Sequence, residues 1–152
     1  MLVTVEQIKK LREETGVSLG LCKIVLEEAN GDHSKAIEIL KDKGVANADK
    51  KAGRSLGAGT VSAYIHNTKN MGAMVELDSE TDFVAKNAEF QALAYDIAMQ
   101  VMVTMPENIE TLLEQPFIKD ETKKVRELIL TATQKFGERI EIRNFSRFST
   151  KE

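Results

Sequence analysis

The chain has 152 residues, 42% of them hydrophobic and 30% charged, with a formal net charge of −3. That is apolar material for one ordinary domain or two small ones, and the mixed, slightly acidic charge argues against a broad nucleic-acid-binding surface. The single cysteine, Cys22, excludes an internal disulfide and suits a reducing compartment, and no run reaches the roughly 18 apolar residues of a membrane span. Met1 leads straight into a helical pattern without a basic or Arg-rich leader, so a cytoplasmic location is expected.

Residues 1–44 read as three short helices. Thr4-Val5-Glu6-Gln7 is a capping box, in which the Thr4 hydroxyl and the Gln7 side chain each satisfy a free backbone N–H. Val5, Ile8 and Leu11 follow at helical spacing up to Gly16. Ser18 caps a second helix carrying Val25, Leu26 and Ala29, and Asn30-Gly31 tolerates the left-handed backbone that ends it. Asp32 caps a third, with Ala36, Ile37 and Leu40 inward and Gly44 at its expected end. Residues 45–59 read as a linker: Gly53, Gly57 and Gly59 loosen the backbone, and Lys50, Lys51 and Arg54 keep it solvated or contact phosphate.

From residue 60 the period changes to two. Val61, Ala63 and Ile65 alternate with Thr60, Ser62, Tyr64 and His66; after Asn67-Thr68-Lys69-Asn70, Ala73, Val75 and Leu77 resume the pattern inward. This predicts a β-hairpin with one buried face. Ser79 to Asn87, S-E-T-D-F-V-A-K-N, is a loop that sets an aromatic ring beside a carboxylate. Phe83 either folds back beneath its own loop or projects with Asp82 into a partner. Asn87 caps a helix over 88–104 whose Phe90, Leu93, Ala94, Ile97, Ala98, Val101 and Met102 fall at i, i+3, i+4, i+7, i+8, i+11 and i+12. Pro106 closes it. A short helical piece over 109–114, a break at Pro116-Phe117, a helix over 122–136 and a returning strand from Arg139 to Phe148 complete an α+β core over 60–152, a three-stranded antiparallel sheet packed with helices.

Chemical motifs are sparse. Asp78, Glu80, Asp82 and Glu89 match four positions of a calcium loop, but Phe83 stands where the sharp turn needs Gly and Lys86 stands at a ligand position. Cys22, His33 and His66 are the only thiol and imidazoles, and no nucleophile, zinc or phosphate-loop motif accompanies them. No catalytic constellation, cofactor site or metal site is read, and the chain is not read as an enzyme.

Five segments in order carry a family resemblance: L-R-E-E-T-G at 11–16, Cys22-Lys23 with E-A-N-G-D at 28–32, T-D-F-V-A-K-N at 81–87, Q-P-F at 115–117 and R-N-F-S-R-F at 143–148. Together they resemble the elongation factor Ts family, and the three-helix part resembles a ubiquitin-associated module. The resemblance implies a guanine-nucleotide exchange factor that binds elongation factor Tu, GDP-bound and nucleotide-free, and promotes GDP release, without direct nucleic-acid or membrane contact. It implies that Thr81, Asp82, Phe83 and Val84 form the loop that disturbs the partner's magnesium site, and that Arg12, Leu19, Gly20 and Lys23 touch its nucleotide domain. Leu19-Gly20 and Leu21 depart from the family's usual Met pair and Asp, and the segment 105–115 is shorter than in many members. A chain with one core half is expected to pair as a homodimer; Met99, Met102 and Met105 either fringe that contact or complete a monomer core. The competing reading is a non-catalytic adaptor that binds another protein through its three-helix module.

Overall fold

Most helix starts among the described residues are fixed by side-chain oxygens. In the computed structural model, which describes residues 2–151 without the side chains of residues 45–50, Thr4 begins α1 (Val5–Thr15) through the complete capping box: the Gln7 N–H donates to the Thr4 hydroxyl at 3.2 Å and the Thr4 N–H donates to Gln7 Oε1 at 2.8 Å. Ser18 caps α2 (Leu19–Glu28), which ends through Asn30 and Gly31 at φ 52° and 81°. Asp32 accepts from the Lys35 N–H at the start of α3 (His33–Lys51). Leu11, Val17, Cys22, Val25, Leu26, Ala29, Ala36 and Leu40 close a core among these helices.

α3 passes the stop expected at Gly44 and continues to Lys51, through the first part of the expected linker; the side chains of 45–50, Lys50 included, lie outside the described residues. Gly44 serves close approach instead: a Cβ there would stand 2.8 Å from the Gln134 side chain, which donates to the Leu40 carbonyl at 2.8 Å. The chain divides into two units, one comprising residues up to Gly53 with Leu130–Gly137, the other Arg54–Ile129 with Glu138 onward.

In the second unit β1 (Ala58–Ile65) and β2 (Met71–Ser79) form the expected antiparallel hairpin. β2 is the central strand of a three-stranded sheet in the order β1-β2-β5, with β5 (Glu141–Ser149) antiparallel on its other side. Between them come α4 (Asp82–Ala85), α5 (Ala88–Thr104), α6 (Ile109–Glu114), the small ladder β3 (Pro116–Phe117) with β4 (Asp120–Lys124), and α7 (Val125–Phe136), whose last turns belong to the first unit. Asn87 caps α5 as expected, accepting from the Glu89 and Phe90 N–H groups. α5 lies against the sheet, with Phe90, Ile97 and Val101 fully buried. β4 replaces the expected start of the last helix: Asp120 Oδ1 accepts from the Thr122 N–H at 3.1 Å, a local turn that competes with helix.

The faces of β1 are inverted relative to its composition. The hairpin register sets Tyr64, Ser62 and Thr60 opposite the buried Ala73, Val75 and Leu77, so Val61 and Ile65 point outward, 68% and 58% exposed. The register follows from the turn between His66 and Met71, and a strand's two faces cannot be exchanged without moving that register by one residue. Met74 and Phe148 share the same outer face, which leaves it apolar at one end.

At the other end of that face Asp78 is buried beside Glu76 and Arg143, whose Nε lies 3.8 Å from Asp78 Oδ2. Burial, then the hydrogen bond with Glu76, pushes the Asp78 carboxyl up to about 6, with Arg143 opposing. A carboxyl raised from 3.8 in this way holds its proton more firmly when folded, so the stability it contributes at low pH is lost as pH rises through about 6. Asp78→Asn should therefore raise Tm relative to the unaltered chain by about 2–4 °C at pH 8 and by much less at pH 4.5. Thermal unfolding of both proteins at the two pH values checks this; equal shifts would assign the effect to packing.

Candidate functional site

The turn that follows β2 is built from short side chains folding back on their own backbone. Ser79 is fully buried, and its hydroxyl donates to the Thr81 carbonyl at 3.0 Å. Thr81 is extended (φ −125°, ψ 152°) and caps α4, its hydroxyl accepting from the Val84 N–H at 3.4 Å. One helical turn then divides its side chains sharply: Val84 is 4% exposed and Ala85 3%, whereas Phe83 is 86% exposed. Asp82 is exposed beside it. Of the two readings of Phe83, folded under the loop or projecting from it, the geometry supports the second. Val84 anchors the turn from within, and its side chain has no surface to offer a partner.

Residues 57 and more positions away hold this turn in place. The Glu138 carboxylate accepts three hydrogen bonds: from the Glu80 N–H at 3.1 Å, the Thr81 N–H at 3.0 Å and the Thr81 hydroxyl at 2.7 Å. Glu80 reciprocates, its Oε2 accepting from the Arg139 N–H at 2.8 Å, with Arg54 Nη1 3.5 Å away. Arg139 Nη1 donates to the Arg54 carbonyl at 2.6 Å, and its Nη2 pairs with Glu141. Arg54, taken from the sequence as a solvated linker cation, is a member of this cluster. Glu138 and Arg139 escaped sequence reading because nothing local marks a partner so far along the chain.

In the first unit Arg12, Leu19, Gly20 and Lys23 are all exposed. Leu19 and Lys23 are one turn apart on α2, Lys23 Nζ lies 3.9 Å from Glu27, and Gly20 has open space where a Cβ would stand. Ile24, 49% exposed on the same helix, was not singled out from sequence and adds apolar surface there. Among the described residues no group of three or more His, Cys, Asp or Glu is arranged to hold a metal ion, and no helix is long and apolar enough to cross a membrane.

The sequence profile of the family described as Elongation factor TS matches residues 80–152, beginning at the turn itself. A protein named elongation factor Ts from Thermodesulfovibrio yellowstonii is 38% identical over 192 aligned positions, covering 97% of this chain and 96% of that protein. The chain belongs to the elongation factor Ts family. A second elongation factor Ts, from Carboxydothermus hydrogenoformans, is 40% identical with 97% of this chain and 88% of the relative covered. For the first of these the 192 aligned positions exceed the 152 residues present here, so that family member carries at least 40 positions in all with no counterpart in this chain. The elongation factor Ts of Trichlorobacter lovleyi aligns differently: 44% identity over 149 residues covers 98% of this chain and only 48% of the relative. The family thus includes chains about twice this length, matched here over one half.

The turn's division of labour predicts opposite effects of neighbouring substitutions on stability. Phe83→Ala should leave Tm within about 2 °C of the unaltered chain, because the side chain gives up almost no burial. Val84→Ala removes buried methyl groups and should cost about 1–2 kcal/mol in urea unfolding. A reversed order would place Phe83 in the core.

Proposed function

We propose that this chain, a translation elongation factor by family, binds elongation factor Tu and accelerates release of its GDP, with Asp82 and Phe83 as the contact that disturbs the partner's magnesium site. The observation that carries this reading is Phe83, almost wholly exposed on a capped, hydrogen-bonded turn that Val84 and Ala85 anchor from within. A large apolar side chain held in water by a fixed backbone favours a binding role. Burying one such ring is worth about 1.5–3 kcal/mol, the size of coupling that changes the affinity of a second ligand about 10- to 150-fold. Linkage makes that coupling reciprocal: a factor that prefers the nucleotide-free partner must weaken nucleotide binding by the same amount. Magnesium bridges nucleotide phosphates and protein, so a wedge that shifts its ligands loosens GDP without any covalent step. Thr81 serves by capping the turn and Val84 by anchoring it.

Arg12, Leu19, Gly20 and Lys23 are proposed as the second contact, with the nucleotide domain of elongation factor Tu; their exposure on α1 and α2 supports this, and Ile24 joins them. The chemistry is that of a cytoplasmic binding protein and not of an enzyme. Titrating the chain into elongation factor Tu loaded with fluorescent GDP, chased with unlabelled nucleotide, is expected to speed release in proportion to factor concentration. GTP release should be accelerated equally, since the chain offers no phosphate-binding loop of its own. An unchanged rate at micromolar factor would end the reading.

Pairing with a second copy is part of the proposal. The Met fringe is divided: Met102 is buried in the core, Met99 is half-buried and Met105, at the end of α5, is exposed. What supports it is the outer sheet face, where Val61, Ile65, Met74 and Phe148 are exposed together, and the existence of family members with twice the length. A two-fold pairing would cover that face on both copies. Light scattering during size exclusion at tens of micromolar is expected to report twice the chain's 16.9 kDa, reverting to one chain mass in Phe148→Asp. A single 16.9 kDa species for the unaltered chain would refute the pairing.

A further inference from the structure

Glu138 lies outside the turn, is half-buried, and spends both carboxylate oxygens on it. Its Oε1 accepts the Glu80 and Thr81 N–H groups, the last two backbone donors before α4. Its Oε2 accepts the hydroxyl of Thr81, and that same hydroxyl oxygen accepts the Val84 N–H. One carboxylate therefore reaches, directly or through one hydroxyl, the backbone on either side of Asp82 and Phe83. A helix of four residues has no stability of its own, because fixing its first turn costs more than its hydrogen bonds return. Hydrogen bonds to an ionised acceptor are about twice as strong as neutral ones, so this carboxylate adds a strong directional restraint to the burial of Val84 and Ala85.

We propose that Glu138 is a positioning residue for nucleotide exchange: by holding Glu80 and Thr81 it fixes the direction in which Phe83 leaves the second unit. Glu80 is its counterpart, returning a bond to the Arg139 N–H, so the two glutamates lock the end of β2 to the start of β5. The inference rests on the reading of Phe83 as the contact with elongation factor Tu. Without the carboxylate the turn divides its time among orientations, and apparent affinity falls by the fraction that remains competent. The partner's chemistry, once Phe83 is seated, is untouched.

The test is a two-by-two set, the unaltered chain, Glu138→Ala, Phe83→Ala and the double variant, with Glu138→Gln as a milder replacement that keeps one acceptor oxygen. GDP release from elongation factor Tu is measured against factor concentration. Glu138→Ala is expected to raise the half-saturating concentration about tenfold while leaving the saturating rate within about twofold, and Glu138→Gln to fall between it and the unaltered chain. In the Phe83→Ala background Glu138→Ala should add nothing, because there is no longer a ring to aim. Deuterium uptake should quicken at the amides of 80–84 in Glu138→Ala and stay unchanged along β2. A general loss of folding would instead speed uptake throughout the sheet and persist in full in the double variant; either result overturns the proposal. So does a Glu138→Ala protein that exchanges like the unaltered chain while Phe83→Ala is impaired. If Phe83→Ala is itself unimpaired, the reading of the wedge fails first and the positioning role with it.

Discussion

β2 is hydrogen-bonded along both sides, and the second unit depends on that fact. Pairing with β1 through a tight turn and with β5 from the far end of the chain fixes its register twice, so its alternation of Ala73, Val75 and Leu77 against Met74, Glu76 and Asp78 decides which face is inner for all three strands. α5 covers the inner face and β1 is obliged to turn its apolar residues outward. The same strand ends at Ser79, so the turn that carries Phe83 emerges from a well-restrained point of the sheet.

That arrangement has an energetic consequence for recognition. A ring on a flexible loop would lose conformational freedom on docking, at about 0.5–1.5 kcal/mol per immobilised side chain and more for the backbone beneath it. Here the backbone is ordered before any partner arrives, by Ser79 and Thr81 locally and by Glu138 from the start of the returning strand. In the proposed complex the apolar gain on docking Phe83 would then be available for coupling to the partner's nucleotide. The first unit follows another logic: its core is a small set of mostly aliphatic side chains, and Leu19, Lys23 and Ile24 leave its surface from a helix that Ser18 caps and Cys22, Val25 and Leu26 bury in that core.

Much of this was legible in the sequence where the signal is local. The caps at Thr4, Ser18 and Asn87 depend on one side chain and the next turn of backbone, and each formed as read. The seven-point stripe of α5 and the alternation read from Arg139 to Phe148 were long enough to identify a helix and a strand, the strand beginning at Glu141. Failures came where a distant partner decides. Gly44 resembles a helix stop, but it is a contact point for Gln134, ninety positions on. Val61 and Ile65 are more apolar than Thr60 and Ser62, yet register overrules composition in a hairpin. Thr122 belongs to a strand because of Asp120 and the ladder with Pro116. At the site, T-D-F-V stood out by residue type, whereas Glu138 looked like any other surface glutamate at the end of a helix.

Phe83 is proposed to enter elongation factor Tu where nucleotide binding is sensed. Replacing Phe83 with the photo-reactive benzoyl-phenylalanine, which preserves a ring at that point, tests it most directly. On irradiation with nucleotide-free elongation factor Tu, a cross-link to the partner's nucleotide domain is expected, and it should weaken as GDP is added, as reciprocal coupling requires. No cross-link, or one whose yield is indifferent to GDP, would contradict it.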